Sequence, residues 1–209
     1  MFENLKKRIQ LSKLKDQNYK YLFDDNIPTG EYVVLDTETT GLNPKKDEIL
    51  SIGAVKIKDN KIQTSESFEI YIKPKDNISE QSIKIHHIRP IDIQNGVTID
   101  EALKKLLPFI GNLPIVGYYI SFDIAILNRY LKDFIGISLP NSSIELSSMY
   151  YKRYKKSSAY EFVDLKFDTI MHRLDIPRLG KHDALNDAIM SAMIFLKLQQ
   201  IPIYKGAYS

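Results

Sequence analysis

The chain has 209 residues, enough for one domain with a short appendage, and its 44% hydrophobic and 26% charged content is that of an ordinary soluble globular protein. With no cysteine it has no disulfides, thiolate metal sites, iron–sulfur clusters or Cys nucleophiles, and the composition suits an intracellular protein. The net charge of +3 neither requires nor excludes a polyanionic partner, because local distribution matters more than the sum.

Residues 1–28 differ from the rest of the chain. They carry six basic and four acidic residues around a sparse apolar pattern, Phe2, Leu5, Ile9 and Leu14, and run out in Asp24-Asp25-Asn26 and Pro28-Thr29-Gly30. The segment reads as a helical or partly ordered appendage rather than a second domain. Met1–Arg8 is positively charged, but no apolar stretch comes after it, so no signal peptide is expected. No run of about 18 apolar residues occurs, so no membrane span is expected and a cytoplasmic protein is.

Three strand signals come next. Glu31–Asp36 holds the apolar run Tyr32-Val33-Val34-Leu35, which suits a buried strand. Ile49–Ile57 alternates, Asp59-Asn60 makes a turn, and Ile62–Ile72 supplies a third strand. Helical periodicity then takes over. Ile99, Ala102, Leu103, Leu106, Leu107 and Ile110 share one face, with Thr98 and Glu101 as a capping box. Pro114–Gly117 reads as a short buried strand, and Ser121 opens a helix through Tyr130. Tyr150–Lys156 is basic with interleaved aromatics, as a solvated helix face or a surface that stacks single-stranded bases would be. Asp164–Leu174 and Ala184–Leu198 are helical. Strands first, then helices interleaved with short strands, predict an α/β fold: a mixed central sheet flanked by helices, with a fourth strand returning parallel to the first.

The chemistry lies in acids placed where acids are unusual. Asp36 and Glu38 end the first buried strand, and side chains at i and i+2 point to the same face. Asp123 falls in the first turn of a helix after the short strand. Asp187 sits among small residues on the last helix, and the positions one turn away, Asp183, Ala184, Met190 and Ser191, offer no cation. A carboxylate on a packed face is costly unless paired or bound to a cation. His182 stands at the loop–helix junction five residues before Asp187. Carboxylates without cysteine or a histidine cluster suit Mg²⁺ or Mn²⁺ rather than Zn²⁺, and two such ions can clamp the attacking and leaving oxygens of a phosphodiester. A neutral histidine can then take a proton from the attacking water.

These residues resemble the three motifs of the DEDDh exonucleases: Val33-Val34-Leu35-Asp36-Thr37-Glu38-Thr39-Thr40-Gly41-Leu42, Val116-Gly117-Tyr118-Tyr119-Ile120-Ser121-Phe122-Asp123, and His182-Asp183-Ala184-Leu185-Asn186-Asp187-Ala188. The resemblance spans roughly residues 30–198 and is strongest to the proofreading epsilon subunits of bacterial DNA polymerase III and their stand-alone relatives. It implies the RNase H-like exonuclease fold, with residues 1–28 as the appendage and 29–209 as the exonuclease domain. It implies two divalent cations, Mg²⁺ or Mn²⁺, on Asp36, Glu38, Asp123 and Asp187, with His182 as general base. It places Thr39, Leu42, His86 and Phe122 against the substrate. His87 replaces a family glycine, and Tyr119 stands where many members have asparagine. The implied activity is 3′–5′ hydrolysis of single-stranded DNA or frayed 3′ ends in replication proofreading or repair, with a DNA polymerase subunit as partner. An exoribonuclease of the same fold, acting on RNA, is the alternative enzyme. An inactive nucleic-acid-binding module is the alternative from another class, disfavoured because an anionic cluster facing phosphate is of no use to a mere binder.

Overall fold

Tyr32–Thr39 forms β1, and its apolar run is buried on both faces: Val33 and Leu35 join one apolar cluster and Val34 the other. The computed structural model describes residues 2–75, 88–89, 91–155, 162–180 and 183–203. Ahead of β1 lie α1 (Phe2–Lys13) and a 3₁₀ helix (Gln17–Phe23). After it come β2 (Ile49–Lys58), β3 (Lys61–Tyr71), α2 (Ile99–Ile110), β4 (Ile115–Gly117), α3 (Ile120–Phe134), β5 (Ser143–Glu145), α4 (Leu146–Tyr154), α5 (Phe167–Arg173) and α6 (Ala184–Gln200). The strands make one mixed sheet in the order β3-β2-β1-β4-β5. β1 pairs antiparallel with β2, as β2 does with β3, whereas β4 lies parallel to β1 and β5 parallel to β4. The expected α/β architecture, including the parallel fourth strand, is therefore present.

Period-two alternation in the central strands creates two cores. On one face Ile52 and Ala54 of β2 meet Leu103, Leu106, Leu107 and Ile110 of α2 and Ile126, Leu127 and Leu131 of α3. Leu14, Leu22 and Phe23 of the N-terminal segment are buried in the same cluster, while Leu5 and Ile9 on α1 remain exposed. On the other face Val55 and Ile57 meet Leu146 and Tyr150 of α4, Ile170 and Met171 of α5, and Met190, Ile194, Phe195 and Leu198 of α6. Fully burying one such side chain contributes about 1.5–3 kcal/mol, so the two layers hold the sheet rigidly between them. Among the described residues no helix is long and apolar enough to cross a membrane.

Several boundaries differ from the sequence reading, each for a local reason. The predicted capping box is present, Thr98 accepting from the Glu101 N–H and Glu101 from the Thr98 N–H. The helix expected at Ser121 begins at Ile120, behind a cap at Tyr119. The helix expected from Asp164 begins at Phe167, because the Asp164 carboxylate accepts from the Lys166 N–H and the Thr169 hydroxyl ahead of it. β5 has no counterpart among the expected strands; three residues are too few to display an alternation.

β1, β4 and β5 run parallel, so their carboxyl ends, carrying Asp36–Thr39, Gly117 and Glu145, lie at one edge of the sheet. That edge is where open α/β sheets bind ligands. One glycine decides what joins it. Gly53 on β2 lies opposite Asp36 on β1, and a Cβ there would stand 2.1 Å from the Ala184 carbonyl carbon and 2.2 Å from the Leu185 nitrogen. The first turn of α6 can thus rest on β2 beside Asp36 only because residue 53 has no side chain. Gly53→Ala should lower stability by about 3 kcal/mol, the upper range for overpacking, and reduce turnover by displacing Asp187. Thermal melting and activity on one preparation check this; a variant as stable and active as the parent would refute it.

Candidate active site

Asp36 and Glu38 project from the same face of β1, and Asp187 enters from the first turn of α6. The three side chains each offer a carboxylate oxygen within 4.8 Å of the other two. Asp123, from the first turn of α3, is 4% exposed and approaches from the other layer. Its Oδ1 accepts from the Thr37 hydroxyl at 2.6 Å. Thr37 lies between Asp36 and Glu38 and faces the opposite way, so one strand presents two carboxylates to α6 and ties a third to α3. The structure therefore draws Asp36, Glu38 and Asp187 into one triplet, with Asp123 alongside as a buried neighbour.

Crowding and burial make this cluster reluctant to ionise. Asp36 is held well above the usual carboxylate range, first by burial and then by the charges of Asp123, Asp187 and Glu38. Glu38 is pushed up to about 8 by burial and by Asp187, Asp123 and Asp183. Burial lifts Asp123 to about 7 against the pull of the Thr37 hydroxyl. Asp187 rises to about 6 through burial and Asp183, opposed by Arg178. Each raised value means that the folded state holds a proton which the unfolded chain has already released. Stability of the metal-free protein should therefore fall as pH rises from about 4 to about 8, and level off once the folded cluster has ionised. Melting curves in EDTA across that window test it, and a flat or rising profile would contradict it.

Residues not singled out from sequence complete the surroundings. Asp183 caps α6, accepting from the Asn186 N–H at 2.8 Å, and its charge reaches Asp36, Glu38 and Asp187. Its place just before a helical run was the available signal. Glu145, ending β5, accepts from the Tyr119 N–H at 2.9 Å and from both the N–H and hydroxyl of Ser147, locking the β4–α3 turn to α4. Arg178 brings to Asp187 the positive charge absent from the positions one turn away on α6; no helical spacing could have announced a loop residue. Tyr119 holds a left-handed backbone, φ 52 and ψ 33, that asparagine or glycine takes with less strain, of order 1 kcal/mol.

The expected substrate residues divide. Thr39 is half-buried, its hydroxyl donating to the Gly41 carbonyl at 2.7 Å. Leu42 is 91% exposed on a loop that Arg129 of α3 anchors through the Asp47 carbonyl. Phe122 is half-buried beside Asp123. His86, His87 and His182 lie outside the described residues. The basic, aromatic stretch from Tyr150 is in good part structural. Tyr150 is buried, and Arg153 donates to the Leu198 and Ile201 carbonyls at the end of α6, satisfying groups a helix terminus leaves unpaired. Only Tyr151, Lys152 and Lys155 of its described residues are exposed.

Comparison with known proteins agrees with this geometry. A family described as "Exonuclease" matches residues 33–195. The chain is 32% identical over 179 residues to a DNA polymerase III PolC-type from Thermotoga petrophila, covering 86% of this chain but 12% of that protein. It is 31% identical over 178 residues to a DNA polymerase III subunit epsilon from Aquifex aeolicus, covering 83% of each. The PolC-type relatives are thus many times longer than this chain. Among solved structures, E. coli exonuclease I in complex with a dT13 oligonucleotide superposes with a TM-score of 0.69 at 15% identity, over 83% of this chain and 42% of that one. The fold is the RNase H-like exonuclease fold.

Proposed function

The chain belongs to the exonuclease family, and from that premise we propose that it removes nucleotides from the 3′ end of a DNA strand with the help of two divalent cations. The observation that carries this reading is the triplet Asp36, Glu38 and Asp187 with mutually close carboxylate oxygens, and buried Asp123 beside it, at the carboxyl end of the central strand. An all-carboxylate donor set whose members repel one another in a chain without cysteine fits Mg²⁺ or Mn²⁺. Asp36, Glu38, Asp123 and Asp187 would hold the ions, which supply Lewis-acid stabilisation of the charge developing on the phosphodiester oxygens. The Thr37 hydroxyl fixes the orientation of Asp123. His182, which precedes Asp183 in the sequence, takes the proton from the attacking water at an imidazole nitrogen. Thr39, Leu42, His86 and Phe122 seat the terminal nucleotide, a reading that the exposure of Leu42 supports.

Single strands and frayed ends are the preferred substrates, because unpairing a terminal nucleotide costs a few kcal/mol. The names of the polymerase III relatives support DNA as the strand and a polymerase as partner. In this reading residues 29–209 make the exonuclease domain, preceded by the helical segment 1–28, and the protein works in the cytoplasm. The test is hydrolysis of a 3′-labelled single-stranded oligonucleotide with Mn²⁺. Excess EDTA should abolish it, a blocked 3′ end should stop it, and a circular strand should survive. Activity persisting in EDTA would overturn the metal reading, and cutting of the circle would overturn the end specificity. Matched DNA and RNA oligomers decide the sugar preference.

A further inference from the structure

Beside Asp187 opens a cleft of about 370 Å³ that none of the expected site residues except Asp187 lines. Its walls include the rings of Tyr118 and Phe167 and the cations Lys166 and Arg178. The two rings are 5.0 Å apart, and Tyr118 meets Tyr119 at 4.5 Å, so three aromatics run in series from the start of α3 to the start of α5. Tyr118 is fixed by its hydroxyl, which donates to the Leu165 carbonyl at 2.8 Å. Tyr119 is 55% exposed and keeps the left-handed backbone described above, with its N–H held by Glu145. Tyr119 does not line the cleft itself but abuts Tyr118, which does, and a bulky, exposed ring in a strained conformation is poorly explained by packing. Of the two cations, Arg178 is paired with Asp168, which also lines the cleft, while Lys166 is exposed.

Aromatic faces for bases, cations for the backbone and a position adjoining the acid cluster are what a single strand needs. We propose that this cleft is the lane for the strand next to the scissile phosphodiester, with bases against Tyr119, Tyr118 and Phe167 and phosphates on Lys166 and Arg178. Duplex does not fit this arrangement, since bases stacked within a double helix have no free faces to offer the rings. The lane rests on the exonuclease reading for its direction but not for its existence, and the two can be tested apart.

The experiment measures fluorescence anisotropy of a labelled single-stranded thymidine oligonucleotide in EDTA, for the full chain and for Tyr119→Asn and Lys166→Glu. Separately, hydrolysis of the p-nitrophenyl ester of thymidine 5′-monophosphate with Mn²⁺ reports on the acid cluster without an extended strand. Tyr119→Asn should weaken oligonucleotide binding about tenfold, the loss of one stacked base, while its melting temperature stays equal or rises because the backbone strain is relieved. Lys166→Glu should weaken binding and flatten its salt dependence by roughly one phosphate contact. In both variants the ratio of kcat/KM for the oligonucleotide to that for the ester should fall. Unchanged affinity and an unchanged salt slope would overturn the lane whatever the ester shows. Failure of the parent protein to hydrolyse the ester would sink the exonuclease reading, and the anisotropy would still decide the lane.

Discussion

Replacing Asp36 with asparagine is expected to abolish hydrolysis and, at the same time, to raise the melting temperature of the metal-free protein near pH 8. The two effects have one origin. Asp36 is held well above the usual carboxylate range first by desolvation and then by the charges of Asp123, Asp187 and Glu38. Asparagine keeps the shape and removes the charge, so the repulsion disappears and the fold relaxes. The gain should appear as a few degrees, since about 1 kcal/mol moves the midpoint of a domain this size by roughly 2–4 °C. By about pH 4 the difference should have largely gone, because there the unfolded chain too holds the proton. Hydrolysis needs the charge that stability does without. Losing one electrostatic stabiliser of a transition state typically costs about 10²–10³-fold, and loss of a cation site should exceed that. Differential scanning in EDTA at both pH values, alongside Mn²⁺-dependent turnover, measures both sides. An asparagine variant less stable than the parent at pH 8 would mean that the cluster is not repulsive.

His182→Ala should reduce the single-turnover rate by about 10²–10⁴-fold, the usual contribution of a positioned general base, while Mn²⁺ affinity and melting temperature stay near those of the parent. The residue immediately precedes Asp183, whose carboxylate caps α6, so the sequence ties it to the helix that delivers Asp187. The pH–rate profile should lose its acidic limb in the variant. Ionisation of the attacking water produces a similar limb, so the decisive comparison is between the two profiles. A histidine that merely caps the helix predicts a small stability change and no kinetic defect. A variant that fails only by losing Mn²⁺ would remove His182 from the base role.

Much of this molecule is legible one element at a time. Asp36 and Glu38 share a face because strand geometry repeats every two residues, and that holds before any partner strand is known. The apolar spacing of Ile99–Ile110 and its capping box announce α2 for a similarly local reason, since both are set by the pitch of a helix. The three motifs, in order, are sufficient to bring the acids and His182 under suspicion. β5 and the start of α5 escape because three residues carry no period and because Asp164 spends its carboxylate on a turn.

What the chain by itself determined, then, is the inventory: which residues carry charge, and which face of which element each occupies. Tertiary structure alone decided how they meet. That Asp187 closes on Asp36 depends on Gly53 letting α6 touch β2. Asp123 is bound to Thr37 and stands beside the triplet, a matter of two layers gripping opposite faces of one strand. Arg178 reaches Asp187 from a loop, and Arg153 turns inward to the end of α6 rather than outward to a ligand. Periodicity records only the geometry of a residue's own helix or strand, whereas these contacts join side chains far apart in sequence whose approach is set by packing.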